Sequence, residues 1–136
     1  MLASGSAIAK EARKGLRKGK ASSLAAMDID AIDAADVAEA AVRGDELSQQ
    51  VIARAAHYLG LGLVNIVNTF NPDIIAIGGG VSCIDAPLLE PARRLVAERA
   101  FKLPAKRVRI VKAELGDDSA VLGAALYARD ALIESE

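Results

Sequence analysis

Asn71-Pro72-Asp73-Ile74-Ile75-Ala76-Ile77-Gly78-Gly79-Gly80-Val81-Ser82 reads as a short apolar strand running straight into three glycines. A long helical pattern precedes it and stops at Asn71-Pro72, because a residue before proline is pushed out of the α region. Another helix is expected from about Pro87. A strand that ends in glycines and leads into a helix brings bare backbone to the strand's carboxyl end. In open α/β folds that is where ligands bind, very often nucleotides.

Working outward, Leu47, Val51, Ala55, Leu59, Leu63, Ile66 or Val67, and Phe70 recur at intervals of three and four, which predicts a helix from Asp45 to Phe70. Gly60 and Gly62 weaken it by ~1 kcal/mol each relative to Ala, so another backbone is expected close to that turn. Ile8, Ala9, Ala12 and Leu16 place a first helix from Ser4 or Ser6 to Arg17, with Gly15 and Gly19 weakening its end. Its basic cluster, Arg13 to Lys20, is either a phosphate patch or a solvated helix face. The second reading is preferred, since no aromatic residue is interleaved with it. Ala21 to Asp33 is a polar, alanine-rich connection. Asp33 or Asp36 caps a short helix to Arg43, with Gly44 just beyond its end.

Beyond the glycines, Leu88, Leu89, Ala92, Leu95 and Val96 mark the inner face of a helix from Pro87 to Phe101, and Pro104 ends the following turn. Arg107 to Lys112 alternates as a second strand, and Asp118 or Ser119 caps a final helix to Ile133. Asp73 to Ile77 is apolar after its first residue, which suits a buried, parallel strand. The carboxyl half is therefore helix–strand–helix–strand–helix, a crossover unit with two parallel strands. Such a sheet is a poor independent structure, so the chain is expected to belong to something larger.

The 136 residues have room for one ordinary domain. About half are apolar, only 3% are aromatic, and the net charge is −1, which argues against a general nucleic-acid or membrane surface. One Cys, Cys83, excludes an internal disulfide, and one His, His57, leaves no basis for a protein-only metal site. The apolar region Leu59 to Phe70 is too short to span a bilayer, and the amino terminus has no continuous apolar run of a signal peptide. The expected location is the cytoplasm.

With these elements in place, four segments in order resemble the ROK family of bacterial repressors and sugar kinases. Asn71-Pro72 with Ile77-Gly78-Gly79-Gly80-Val81-Ser82 is similar to the signature near that family's carboxyl end. Leu88-Leu89-Glu90-Pro91 is similar to its next helix, and Leu115-Gly116-Asp117-Asp118-Ser119-Ala120-Val121-Leu122-Gly123-Ala124-Ala125 to its last turn and helix. Leu2-Ala3-Ser4-Gly5-Ser6-Ala7 resembles the stretch after the family's zinc-binding cysteines. The resemblance implies an α/β fold, a helix-rich part of an actin-like ATPase (ribonuclease H-like) domain with about two parallel strands and about five helices. Residues 1–136 would form a single partial domain, 1–70 helical and 71–136 on the nucleotide side.

It also implies ATP or ADP as ligand and a hexose, most simply glucose, as substrate of the parent kinase. Gly78, Gly79, Gly80, Val81, Gly116 and Asp117 would wall the adenosine. The phosphate-binding turn, catalytic Asp, sugar contacts and zinc site of the family fall outside the matched segments. No catalytic or metal-ligating residue is therefore assigned, Mg²⁺ belongs to the parent, and the chain alone is expected to be inactive. A repressor parent, or a truncated product held together as a homodimer or larger oligomer, are the alternatives.

Other polar residues have blander readings. His57 is expected as a core or interface residue near the apolar stripe. Asp117 and Asp118 suit capping and a turn better than Mg²⁺-bound water. Asn68 and Asn71 suit helix ends better than nucleotide contacts, and Cys83 suits a small buried residue better than a reactive thiol.

Overall fold

The three helices of the amino-terminal half start where a side-chain cap supplies the first hydrogen bond. The computed structural model describes residues 3–79, 84–115 and 118–133. Helix α1 (Gly5–Arg17) is capped by the Ser4 hydroxyl, which accepts from the Ala7 N–H at 3.2 Å. Ile8, Ala9, Ala12 and Leu16 are buried, as their spacing requires. Gly15 is buried too. A Cβ there would lie 2.6 Å from Leu47 Cδ1, so this glycine admits a neighbouring side chain and does not merely weaken the helix end. Helix α2 (Ala34–Val42) uses both predicted aspartates. Asp33 accepts the Asp36 N–H while Asp36 accepts the Asp33 N–H, each at 2.9 Å, a reciprocal cap.

Helix α3 (Glu46–Phe70) begins at Asp45 and ends at Asn71, whose φ of 46° is left-handed and whose N–H donates to the Val67 carbonyl at 3.0 Å. By length and composition α3 could cross a membrane. In the fold it is the spine on which α1, α2 and α4 (Asp85–Arg99) pack. The expected connection between α1 and α2 contains one 3₁₀ turn, Ser23–Ala26, capped by the Ser22 hydroxyl.

Two apolar clusters share α3. Its amino-terminal half packs with Ile8, Leu24, Ile32, Val37 and Leu88. Its carboxyl-terminal half, Leu63, Val64 and Val67, packs with Ala92, Val96 and Ile110 beneath the sheet. Gly60 sits where the clusters meet. A Cβ there would lie 3.0 Å from Leu95 Cβ and 3.3 Å from the Ala92 Cα, so the expected close backbone is α4. Gly62 departs from that expectation, since among the described residues nothing lies within 4 Å of its missing Cβ.

The sheet is β1 (Ile74–Ile77) paired in parallel with β2 (Arg109–Lys112), Ile74 opposite Arg109 and Ile77 opposite Lys112. Ile75, Ile77 and Val108 face the second cluster. The expected burial of β1 is not met. Ile74 is 48% exposed and Ala76 is exposed, because helices cover one face of the sheet and the other is open among the described residues. Pro104 does not end a turn as expected. It lies in the first turn of α5 (Lys102–Arg107), where its missing N–H costs no helical bond, and with this short helix the described residues hold six α-helices, in keeping with the expected number of about five. The last helix, α6 (Ser119–Ile133), has Val121, Leu122, Leu126 and Tyr127 at the surface.

Candidate functional site

Parallel pairing puts the carboxyl ends of both strands side by side. The Ala113 N–H donates to the Ile77 carbonyl at 2.9 Å, continuing the ladder one residue past β2. Gly78 then lies beside Ala113, and a Cβ on it would meet the Ala113 Cβ at 3.4 Å. Gly79 has φ of 77°, a conformation side chains rarely adopt, and nothing within 4 Å of its missing Cβ. The chain therefore leaves β1 through a conformation that only glycine adopts without strain, and among the described residues nothing fills the space beside Gly79.

Helix α4 starts nearby at Asp85, and its N-cap residue, Ile84, makes no side-chain cap hydrogen bond. On the β2 side the Asp118 N–H, just before α6, donates to the Leu115 carbonyl at 3.0 Å. The last described residues after each strand, Gly79 and Leu115, thus lie beyond the same end of the sheet. Next to them, a groove of about 520 Å³ crosses the open face of the sheet, lined in part by Ile74, Ala76, Val111, Lys112 and Leu115.

Of the six residues expected at the adenosine, Gly78 and Gly79 occupy this end. Gly80, Val81, Gly116 and Asp117 lie outside the described residues, as does Cys83. Ala113 was not singled out from the sequence. Only the register of the parallel pair brings it to Gly78, and that register is invisible in either strand alone. Asp118, weighed for capping, is exposed and directly precedes α6.

Two expectations are revised for local reasons. Of the two places expected for His57, core or interface, the core is excluded: it is exposed on α3, edge-on to the Tyr58 ring at 5.8 Å, because it falls one residue outside the buried pair Ala55 and Ala56. Asn68 does not cap its own helix. Its Oδ1 accepts the Phe101 N–H at 2.8 Å and so ties α3 to the start of α5. Asn71 does end α3, as expected.

The basic cluster divides. Arg13 donates to the Ile32 carbonyl, at 3.0 Å from Nε and 2.6 Å from Nη2, and Arg17 pairs with Asp30, so both arginines hold the α1–α2 connection. Among the described residues, no three His, Cys, Asp or Glu side chains gather as metal ligands.

Comparison with known proteins agrees with this geometry. The ROK family profile matches residues 1–131. A glucokinase of Halalkalibacterium halodurans is 36% identical over 125 residues, covering 90% of this chain and 38% of the glucokinase. A putative xylose repressor of a Caldicellulosiruptor species is 36% identical over 95 residues, covering 70% of this chain and 24% of the repressor. The crystal structure of a ROK family glucokinase from Streptomyces griseus, in complex with glucose and AMPPNP, superposes with a TM-score of 0.77 at 28% identity, covering 94% of this chain and 43% of that one. The chain thus spans between 24% and 38% of the length of these two curated relatives. Its helix-rich α/β fold, with two parallel strands, is that of the corresponding part of an actin-like ATPase domain. With kinases and repressors both among its relatives, this chain belongs to the ROK family.

Proposed function

We propose that this chain forms the adenosine side of the ATP cleft in a ROK sugar kinase. Gly78, Gly79, Gly80, Val81, Gly116 and Asp117 would wall the nucleotide. The observation that carries the reading is the glycine pair Gly78 and Gly79, the second at a left-handed φ, at the joined carboxyl ends of β1 and β2. The geometry fits an adenosine: Gly79 leaves bare backbone against which a flat base and its ribose can lie, and Gly78 keeps the turn tight against Ala113. In the whole protein ATP would supply the phosphoryl group for a hexose hydroxyl, Mg²⁺ serving the phosphates. This chain's part is to bind and orient the nucleoside, while the base and the sugar contacts come from elsewhere.

Titration with ATP is expected to shift the amide resonances of Gly78 and Gly79. Gly79→Ala, forced into a left-handed φ, should weaken the response while the chain stays folded. Absence of any shift at these two amides at millimolar ATP overturns the reading. The chain alone is expected to phosphorylate no sugar, and turnover near the usual kinase range of roughly 1–100 s⁻¹ would refute the division of labour.

A second reading, the sugar-sensing part of a ROK repressor, rests on a repressor relative that matches as closely as a kinase does, 36% in both cases. The reading frame preceding residue 1 separates them. A helix-turn-helix there favours the repressor; a phosphate-binding glycine turn and a catalytic Asp favour the kinase.

A further inference from the structure

The basic residues near the end of α1 separate by direction. Arg13 and Arg17 turn toward the α1–α2 connection, where both are engaged. Lys14 and Lys18, one turn apart, fall instead on the side of α1 that meets α3. There they line a groove of about 350 Å³ with Lys20 and with Arg54, which is distant in sequence. The floor is built from Gly15, Leu47 and Val51, and bare Gly15 is what lets Leu47 settle there. A smaller cavity of about 240 Å³ shares Glu11, Val51 and Arg54 with the groove and adds Lys10 to the rim.

Charge along this surface is one-sided. Lys10, Lys14, Lys18, Lys20 and Arg54 line it with one carboxylate, Glu11, while a second, Glu46, accepts from Gln50 Nε2 at 3.1 Å at its edge, on a chain whose net charge is −1. Glu11 lies 3.2 Å from Arg54 and 4.0 Å from Lys14, and cannot neutralise the rest. Lys20 Nζ donates to the neutral Gln50 Oε1 at 3.2 Å. Basic residues often end helices because they complement the terminal carbonyls, but here the backbone does that work. The Lys18 N–H reaches the Lys14 and Gly15 carbonyls, the Gly19 N–H the Leu16 carbonyl, and the Lys20 N–H the Gly15 carbonyl. The helix end therefore makes no demand on the ammonium groups, whose side-chain contacts are the Lys14–Glu11 pair and the Lys20–Gln50 hydrogen bond.

From this we infer that the α1–α3 groove binds a small ligand bearing a multiply charged phosphate group. The ammoniums of Lys14, Lys18 and Lys20 and the Arg54 guanidinium would converge on the anion. This site is separate from the glycine turn and stands whether or not the nucleotide reading holds. The groove is the size of a small molecule and has no aromatic platform on its floor, which disfavours a nucleic-acid strand.

The test uses the ¹⁵N-labelled chain titrated with inorganic pyrophosphate. Saturable shifts are expected at Lys14, Lys18, Gly19, Lys20 and the Arg54 side chain, and they should weaken with added salt. The double substitution Lys14→Gln with Lys18→Gln should weaken binding about tenfold, the scale of a lost charge-assisted contact. The exposed pair Lys102→Gln with Lys106→Gln should leave it unchanged. All four changes are at the surface, and an unaltered thermal transition verifies folding. Repeating the titration with a hexose phosphate asks whether the anion is free or esterified; tighter binding of either supports the site. Shifts spread over all lysines, equal loss in both double variants, or no saturation by about 10 mM pyrophosphate, where even a weak millimolar site would fill, overturns the inference.

Discussion

Asp45 does more than its neighbours to hold the helical half together. It caps α3 by accepting the Ser48 N–H at 2.9 Å. It also reaches back 22 and 23 residues, accepting the Ser22 hydroxyl at 3.0 Å and both the N–H and hydroxyl of Ser23, at 2.6 and 3.1 Å. Partial burial by itself raises its pKa, but the Ser48 and Ser23 N–H donors and the Ser22 hydroxyl outweigh that and hold the carboxyl well below the usual carboxylate range. On acidification the unfolded chain therefore takes up the proton first. The stability Asp45 confers is complete above its ordinary pKa of 3.8 and is lost as pH falls below it. Asp45→Ala should cost roughly 1–2 kcal/mol near neutrality, as for a strong N-cap. The gap between the melting temperatures of variant and parent should stay constant down to about pH 5 and narrow below about pH 4. A gap that persists unchanged to about pH 2.5 would show that the donors do not depend on the carboxylate.

Among the elements, α3 and α4 approach through one glycine and not the other. At Gly60, Ala gains helix propensity of ~1 kcal/mol. Its methyl would also press on Leu95 Cδ2 at 2.8 Å, which can rotate away, and on Leu95 Cβ and the Ala92 Cα, which belong to the body of α4. Overpacking of that kind typically costs 1–3 kcal/mol, so Gly60→Ala should be destabilising by about 1 kcal/mol net. Gly62→Ala meets nothing and should stabilise by a few tenths to ~1 kcal/mol. Chemical denaturation of the two variants checks the opposite signs. From sequence the two glycines look alike, because the partner helix that distinguishes them is folded over from thirty residues away.

The same limit explains what else was legible. Helix α3 declares itself through a long, regular period, and the caps at Asp33, Asp45 and Asn71 are local chemistry. Helix α5 was hidden because Pro104 reads as a stop unless one knows that it falls in a first turn. The exposure of Ile74 was hidden because an apolar tetrapeptide implies two covered faces, whereas coverage depends on what is packed there. At the candidate site, glycines announced the turn. The neighbour, Ala113, came only with the strand register, and the division of Arg13 and Arg17 from Lys14 and Lys18 only with the position of α3.

At the scale of the whole molecule, the described residues expose a surface that water disfavours. Ile74 and Ala76 lie on the open face of a two-stranded sheet, both of whose strands are edges. A groove of about 630 Å³ between β1 and the second half of α3, with Tyr58, Gly62, Ile66 and Ile75 in its walls, adds to it, and so do Leu122 and Leu126 on α6. A two-stranded sheet with one covered face has little independent stability, and apolar patches of this kind mark surfaces that become buried in an assembly. The chain expressed by itself should therefore associate with further copies, a dimer being the simplest. Light scattering coupled to gel filtration at micromolar concentration should give at least the mass of two chains. The melting temperature should rise with protein concentration, because association stabilises the folded chain by mass action. Replacing Ile66 and Ile74 by Ser should return the chain toward one copy and flatten that concentration dependence. A monomeric mass with a sharp, concentration-independent transition would mean instead that the helical core around α3 sustains the fold and that the open sheet face is tolerated by a single chain.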